Sequence, residues 1–110
     1  MTVTPKQLAQ IAVTTSVATA YTTPSSSTTV VKKAAFCNTS GGAVTLFGYI
    51  VPASGSAGSS NEVIGGVSVA AGATYVSSEL SQQVLTAGMT LQFSASGAGI
   101  TATISGVNIQ

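Results

Sequence analysis

Acid–base chemistry near neutral pH needs a side chain that can hold and release a proton there. This sequence offers few such groups. It has two glutamates, Glu62 and Glu79, and no Asp, His or Arg. The glutamates sit in separate polar stretches, Ser60-Asn61-Glu62-Val63 and Ser77-Ser78-Glu79-Leu80, where a carboxylate is normally solvated. The single cysteine, Cys37, has no histidine to serve as its base and no second cysteine to oxidise with. Within its apolar run it reads as a small buried hydrophobe. Transition-metal sites draw on clusters of His, Cys and carboxylates, and calcium loops on several Asp or Glu. Neither cluster exists in the sequence, so no metal site within one chain and no cofactor is expected. The glycine-rich stretch Ser54-Gly55-Ser56-Ala57-Gly58 lacks the Lys-Ser/Thr ending and following helix of a phosphate cradle. No catalytic residue is assigned. The expectation is a protein that is not an enzyme.

Binding chemistry is equally sparse. Nucleic-acid recognition rests on neutralising phosphates with several Lys or Arg, and the chain has Lys6, Lys32 and Lys33 only. Adjacent residues on a strand point to opposite faces. One of Lys32 and Lys33 is therefore expected in solvent, the other at a rim or an intersubunit contact. No nucleic-acid partner is expected. Asn38-Thr39-Ser40 fits the N-glycosylation pattern, but the opening Met-Thr-Val-Thr-Pro-Lys-Gln lacks the form of a secretion signal. No stretch nears the roughly 18 apolar residues of a spanning helix. No membrane partner is expected.

What remains is surface. Charged residues make up 5% of the 110 and hydrophobic residues 45%, against about 25% charged in an ordinary soluble domain. Disordered chains show the opposite balance, so this one should fold. With a net charge of +1 it has little to resist self-association. Uncharged surface is tolerated where neighbours cover it, which points to a subunit of a larger assembly, itself a homo-oligomer (dimer or trimer).

The elements that would present such a surface are strands. Short runs of Val, Ile, Thr, Tyr and Phe alternate with Gly, Ser, Pro and Asn clusters, the pattern of an antiparallel β-sandwich or barrel. Strands are expected near 9–15, 18–23, 28–38, 43–51, 62–69, 73–77, 89–95 and 99–109. Eight strands in one domain, residues 9–110, suggest an all-β sandwich with jelly-roll connectivity as one option. Residues 1–8 read as an extended N-terminal arm, since Pro5 and Lys6 interrupt a strand pattern. Such an arm would either fray or add to a neighbour's sheet edge. Phe36 to Val51 reads as a hairpin around Asn38-Thr39-Ser40-Gly41-Gly42. The polar run Ser25 to Thr29 after Pro24 and the Pro52 to Ser60 stretch read as loops, the latter mobile or laid over a neighbour. Ser81 to Ala87 could form one helical turn closed by Gly88. Gly65-Gly66 reads as a bulge or close approach. At Gly106 the apolar parity changes from Ile100, Ala102 and Ile104 to Val107 and Ile109, which indicates a bulge or a strand end covered on its other face. The candidate intersubunit contacts are Leu8, Ile11, Val13, Lys32, Lys33, Val107 and Ile109.

Three segments carry a resemblance: Val30-Val31-Lys32-Lys33-Ala34-Ala35-Phe36-Cys37-Asn38-Thr39-Ser40, Val51-Pro52-Ala53-Ser54-Gly55-Ser56-Ala57-Gly58, and Val69-Ala70-Ala71-Gly72-Ala73-Thr74-Tyr75-Val76. Together with Leu85, Gly88 and Leu91, they resemble small β-rich structural proteins of tailed-bacteriophage virions, over roughly residues 19–109. The shared positions are turn and core residues, so the resemblance transfers no catalytic group. It implies a β-sandwich virion protein, assembled in the host cytoplasm, with the major capsid protein or other virion subunits as partners. Low charge and the arm favour a capsid cement or decoration protein. Neck, tail or fibre-associated subunits are the alternative, and a receptor- or glycan-binding module is a second. For the last, Tyr21, Tyr49 and Tyr75 are the candidate platforms.

Overall fold

A computed structural model describes residues 2–110. They form nine strands, and no helix occurs among the described residues: β1 (Val3–Val13), β2 (Ala18–Thr22), β3 (Thr28–Asn38), β4 (Val44–Val51), β5 (Glu62–Val69), β6 (Thr74–Val76), β7 (Val84–Leu85), β8 (Thr90–Ala95) and β9 (Ile100–Ile109). One sheet runs β1-β9-β3-β6, with β7 also on β3; the other runs β2-β8-β4-β5. Every pairing is antiparallel. The two halves of the chain pair like a long ribbon: β4 with β5, β3 with β6 and β7, β2 with β8, β1 with β9. Rolling that ribbon lets β9 meet β3 and β8 meet β4. This is jelly-roll connectivity.

Alternation decides which side of each strand is buried. Leu91, Phe93 and Ala95 of β8, Leu46 of β4 and Ile64 of β5 point inward from one sheet. Val31, Ala34 and Phe36 of β3 with Ile100, Ala102 and Ile104 of β9 point inward from the other. Phe36 and Phe93 meet edge-on across the sandwich with ring centroids 5.2 Å apart, a favoured aromatic geometry.

Each expected strand segment holds a strand, but four expectations need correction. The N-terminal segment is no arm. Val3 to Val13 is an edge strand paired with β9 along its length. Thr2 and Gln110 exchange both backbone hydrogen bonds, so Thr4–Asn108 and Lys6–Gly106 are bonded pairs, while Pro5 faces Val107 in a non-bonded pair. The missing Pro5 N–H therefore lies on the outer edge, where no ladder needs it.

The second correction concerns Phe36 to Val51. β3 and β4 belong to opposite sheets, so residues 39–43 turn a corner between sheets and close no hairpin. Third, residues 81–87 hold no helical turn. Gln82 adopts φ 68°, which a right-handed helix forbids, and Val84–Leu85 join β3. Fourth, the bulge that was one reading of Gly106 does not lie in β9, which keeps one burial parity throughout. Its inward set continues through Gly106 and Asn108, and the extra residues lie on its neighbours, Leu8 in β1 and Lys32 in β3. Gly106 is required because a Cβ there would strike the Val30 carbonyl oxygen. Gly65-Gly66 does form a bulge: Gly66, at φ 93°, is the extra residue opposite Leu46 and Phe47.

Candidate functional site

The two glutamates are placed apart and used differently. Glu62 opens β5 opposite Tyr49 of β4. Glu79 lies in the turn between β6 and β7, where its Oε1 accepts hydrogen bonds from the Tyr75 hydroxyl and from Ser77 Oγ at 3.1 Å. Ser77 Oγ in turn accepts from the Leu80 amide, and Gln83 Nε2 donates to the Glu79 carbonyl. The Tyr75 hydrogen bond holds the Glu79 carboxyl below its usual range. Desolvation, with the Glu79 hydrogen bond behind it, pushes the Tyr75 hydroxyl up. Both shifts belong to a turn clasp that seats the fully buried Leu80.

Cys37 is half-buried, not buried as its apolar run suggested. It sits between Thr101 of β9 and Thr74 of β6, on the outward parity of β3. Asn38, one residue on, is fully buried. Its Nδ2 donates to the Gly42 and Val69 carbonyls, each at 2.8 Å, and its Oδ1 accepts from the Ser40 amide and hydroxyl. The amide thus ties the inter-sheet corner to the end of β5, and it leaves no N–H for a glycan. The loop after β4 is also tied down. Asn61 Nδ2 donates to the Ser56 carbonyl, and its Oδ1 accepts from the Gly58 amide.

The candidate contact residues separate into two groups. Leu8 and Val13 belong to the chain's own core, and Ile11 packs against it, so these three are corrected from neighbour contacts to internal packing. The reason is the β1–β9 pairing, which spends the segment's apolar face at home. Lys32 and Lys33 are both exposed. The bulge at Lys32 breaks the strict alternation that would have turned one of them inward. Lys32 Nζ lies 3.4 Å from Gln82 Oε1. Val107 and Ile109 are half-buried on the outward face of β9.

Register shows what surrounds them. Val107 stands between Pro5 and Val30, and Val30 is followed by Val84 of β7. Ile109 stands between Val3 and Thr28. Two cross-strand rows thus form one uncharged apolar patch on the outer face of the β1-β9-β3 sheet. Among the described residues four large hydrophobics are exposed, and three of them, Val3 (52%), Val76 (53%) and Val84 (53%), lie on this face. Val3, Pro5, Val30 and Val84 were missed in the sequence. Val30 shares the outward parity of its strand, a readable signal, whereas Val3 and Pro5 were hidden by the arm assignment and Val84 by the helical one.

The outer face of the other sheet has a different character. Phe47 and Tyr49 share the outward side of β4, next to Ser94 and Gln92 of β8 and to Gly65 and Glu62 of β5. The Phe47 ring lies over Gly66. Tyr21 is buried, with its hydroxyl 2.8 Å from Thr29 Oγ1, and Tyr75 stacks on Phe36. Of the three tyrosines, Tyr49 alone keeps an outward platform. Comparison with family models, curated proteins and solved structures finds no match for this chain.

Proposed function

We propose that this chain is a structural subunit of a tailed-bacteriophage virion, most simply a capsid cement or decoration protein packed across the major capsid subunits. One observation carries the reading: the exposed apolar side chains are concentrated on one sheet face that carries no charge at its apolar end. Contiguous exposed apolar surface of this kind marks sites of protein contact. The turn and core motifs supply the virion context, and jelly rolls are common in viral capsids, although a fold hosts many roles. Many identical contacts of modest strength then add through multivalency. A neck or tail subunit would use the same face at lower copy number. Quantitative gels of purified particles test this directly. Hundreds of copies per particle are expected for cement, near six or twelve for a ring, and particles without the chain would defeat the proposal.

A second reading has its own observation. Tyr49 and Phe47, flanked by Gln92 and Glu62, form an aromatic strip with polar rims on the opposite outer face, which suits a sugar ring stacked on aromatics. A reproducible glycan-array signal abolished by Tyr49→Ala would favour it.

A further inference from the structure

We infer that Lys32 and Lys33, beside the apolar patch of the β1-β9-β3 sheet, form a docking point for an extended acidic segment of another protein. The bulge at Lys32 sets two successive lysines on one outer face, both exposed, although like charges side by side repel. The chain's own carboxylates are used elsewhere. Glu62 opens β5 in the other sheet, and Glu79 is held by Tyr75 and Ser77. The pair is therefore left to be met by carboxylates from outside.

Gln82 is an independent pointer to the same place. It is a non-glycine residue at φ 68°, an uncommon conformation that costs free energy and gathers at ligand clamps. Its amide donates to the Val31 carbonyl at 2.7 Å, which pins it beside the bulge. From there its Oε1 lies 3.4 Å from Lys32 Nζ and holds that ammonium over the turn before β7.

Register defines the partner. Lys33 stands level with Ser105 and Gln7, both exposed. The next row on this face, two residues along, is Pro5, Val107, Val30 and Val84. Two residues of strand span about 7 Å. An extended segment laid along the strands would thus place an apolar side chain on the valines and, two positions on, a carboxylate on the lysines. Ser105 and Gln7 are there to hydrogen-bond it. A second copy meeting this face brings no carboxylate, since neither glutamate lies on β1, β9 or β3. Membrane-surface binding draws on Trp, Phe or Leu and on more basic residues, whereas this face offers valines and two lysines. The inference concerns the isolated chain and does not depend on the virion reading.

NMR titration of the isotope-labelled chain with three capped peptides tests it. One alternates threonine with a valine and two glutamates, the second has glutamines for the glutamates, and the third has lysines. The acidic peptide should shift the Lys33, Val84 and Val107 amides to saturation, less so as salt is raised. The glutamine peptide should bind roughly two- to fivefold more weakly for each carboxylate lost, and the lysine peptide should not bind. The double variant Lys32→Gln, Lys33→Gln should keep wild-type circular dichroism and bind the acidic and glutamine peptides equally. Lys6→Gln, on the opposite side of β1 from Pro5 and Gln7, should keep the wild-type preference. Phosphatidylglycerol vesicles should leave the chain in the supernatant. The inference is overturned by a wild type that shows no saturable shift on this face, or that binds acidic and neutral peptides alike. Sedimentation with the vesicles that the double variant loses also overturns it, because the lysines would then meet lipid.

Discussion

Asn38 uses all the hydrogen-bonding capacity of its amide, two donors and two acceptors, inside the protein. Truncation takes the Asn38 donor from the Val69 carbonyl, a buried hydrogen bond, and releases the Ser40 amide and the Gly42 carbonyl at the corner; each buried loss costs about 1–3 kcal/mol. Asn38→Ala should therefore lower stability by about 2–4 kcal/mol in urea denaturation, with the corner beside Val44 opening first in hydrogen exchange. As a turn former Asn38 was legible in the sequence. As a clasp it was not, because the Val69 carbonyl it holds lies 31 residues away. Glu79 gives a residue-scale prediction of a different kind. Its folded-state pKa is lowered, chiefly by Tyr75, so its contribution is complete above the usual carboxylate range. That contribution is lost as pH falls through the lowered value. Tyr75, shifted upward by desolvation, loses its contribution only as pH rises through its raised value. Glu79 is exposed, so the effect is small. Melting temperatures between about pH 2 and 6 should fall less steeply at the acid end for Glu79→Gln than for wild type.

At the scale of elements, β1 decides how the sheet ends. Its pairing with β9 buries Leu8, Ala9 and Val13 and presents to solvent an edge blunted by Pro5. Deleting residues 2–10 removes Leu8 and Ala9 from the core, a loss of about 2–4 kcal/mol, and uncovers the edge of β9, a template for aggregation. The truncated chain should show a lower urea midpoint and concentration-dependent light scattering. A truncated chain as stable as the full one would show that the segment is a detachable arm. Strand positions were legible because period-two alternation is local, as Leu91, Phe93 and Ala95 illustrate. Partners were not. Alternation tells which face a residue takes, and gives no sign that β4 crosses to the other sheet after the Asn38 corner. Likewise, a proline within a run says that a strand is at an edge, or that there is no strand. Only the β9 partner distinguishes the two.

For the whole molecule, the ribbon pairing of the first half of the chain with the second sets the sandwich, and nearly all apolar side chains of size are used inside it. What is left outside is uneven: a valine-rich face on one sheet and an aromatic strip on the other, with five charges in the whole chain. That asymmetry was invisible in composition, where 45% hydrophobic content looks ordinary. It emerged once register placed Val3, Val30, Val84, Val107 and Ile109 side by side. In the proposed role this face is covered by protein. The most direct measurement is a cryo-EM reconstruction of purified particles with the chain located in the density. Val84 and Val107 should be buried there at a contact with another subunit. Particles in which the chain is present with that sheet face open to solvent would contradict that role.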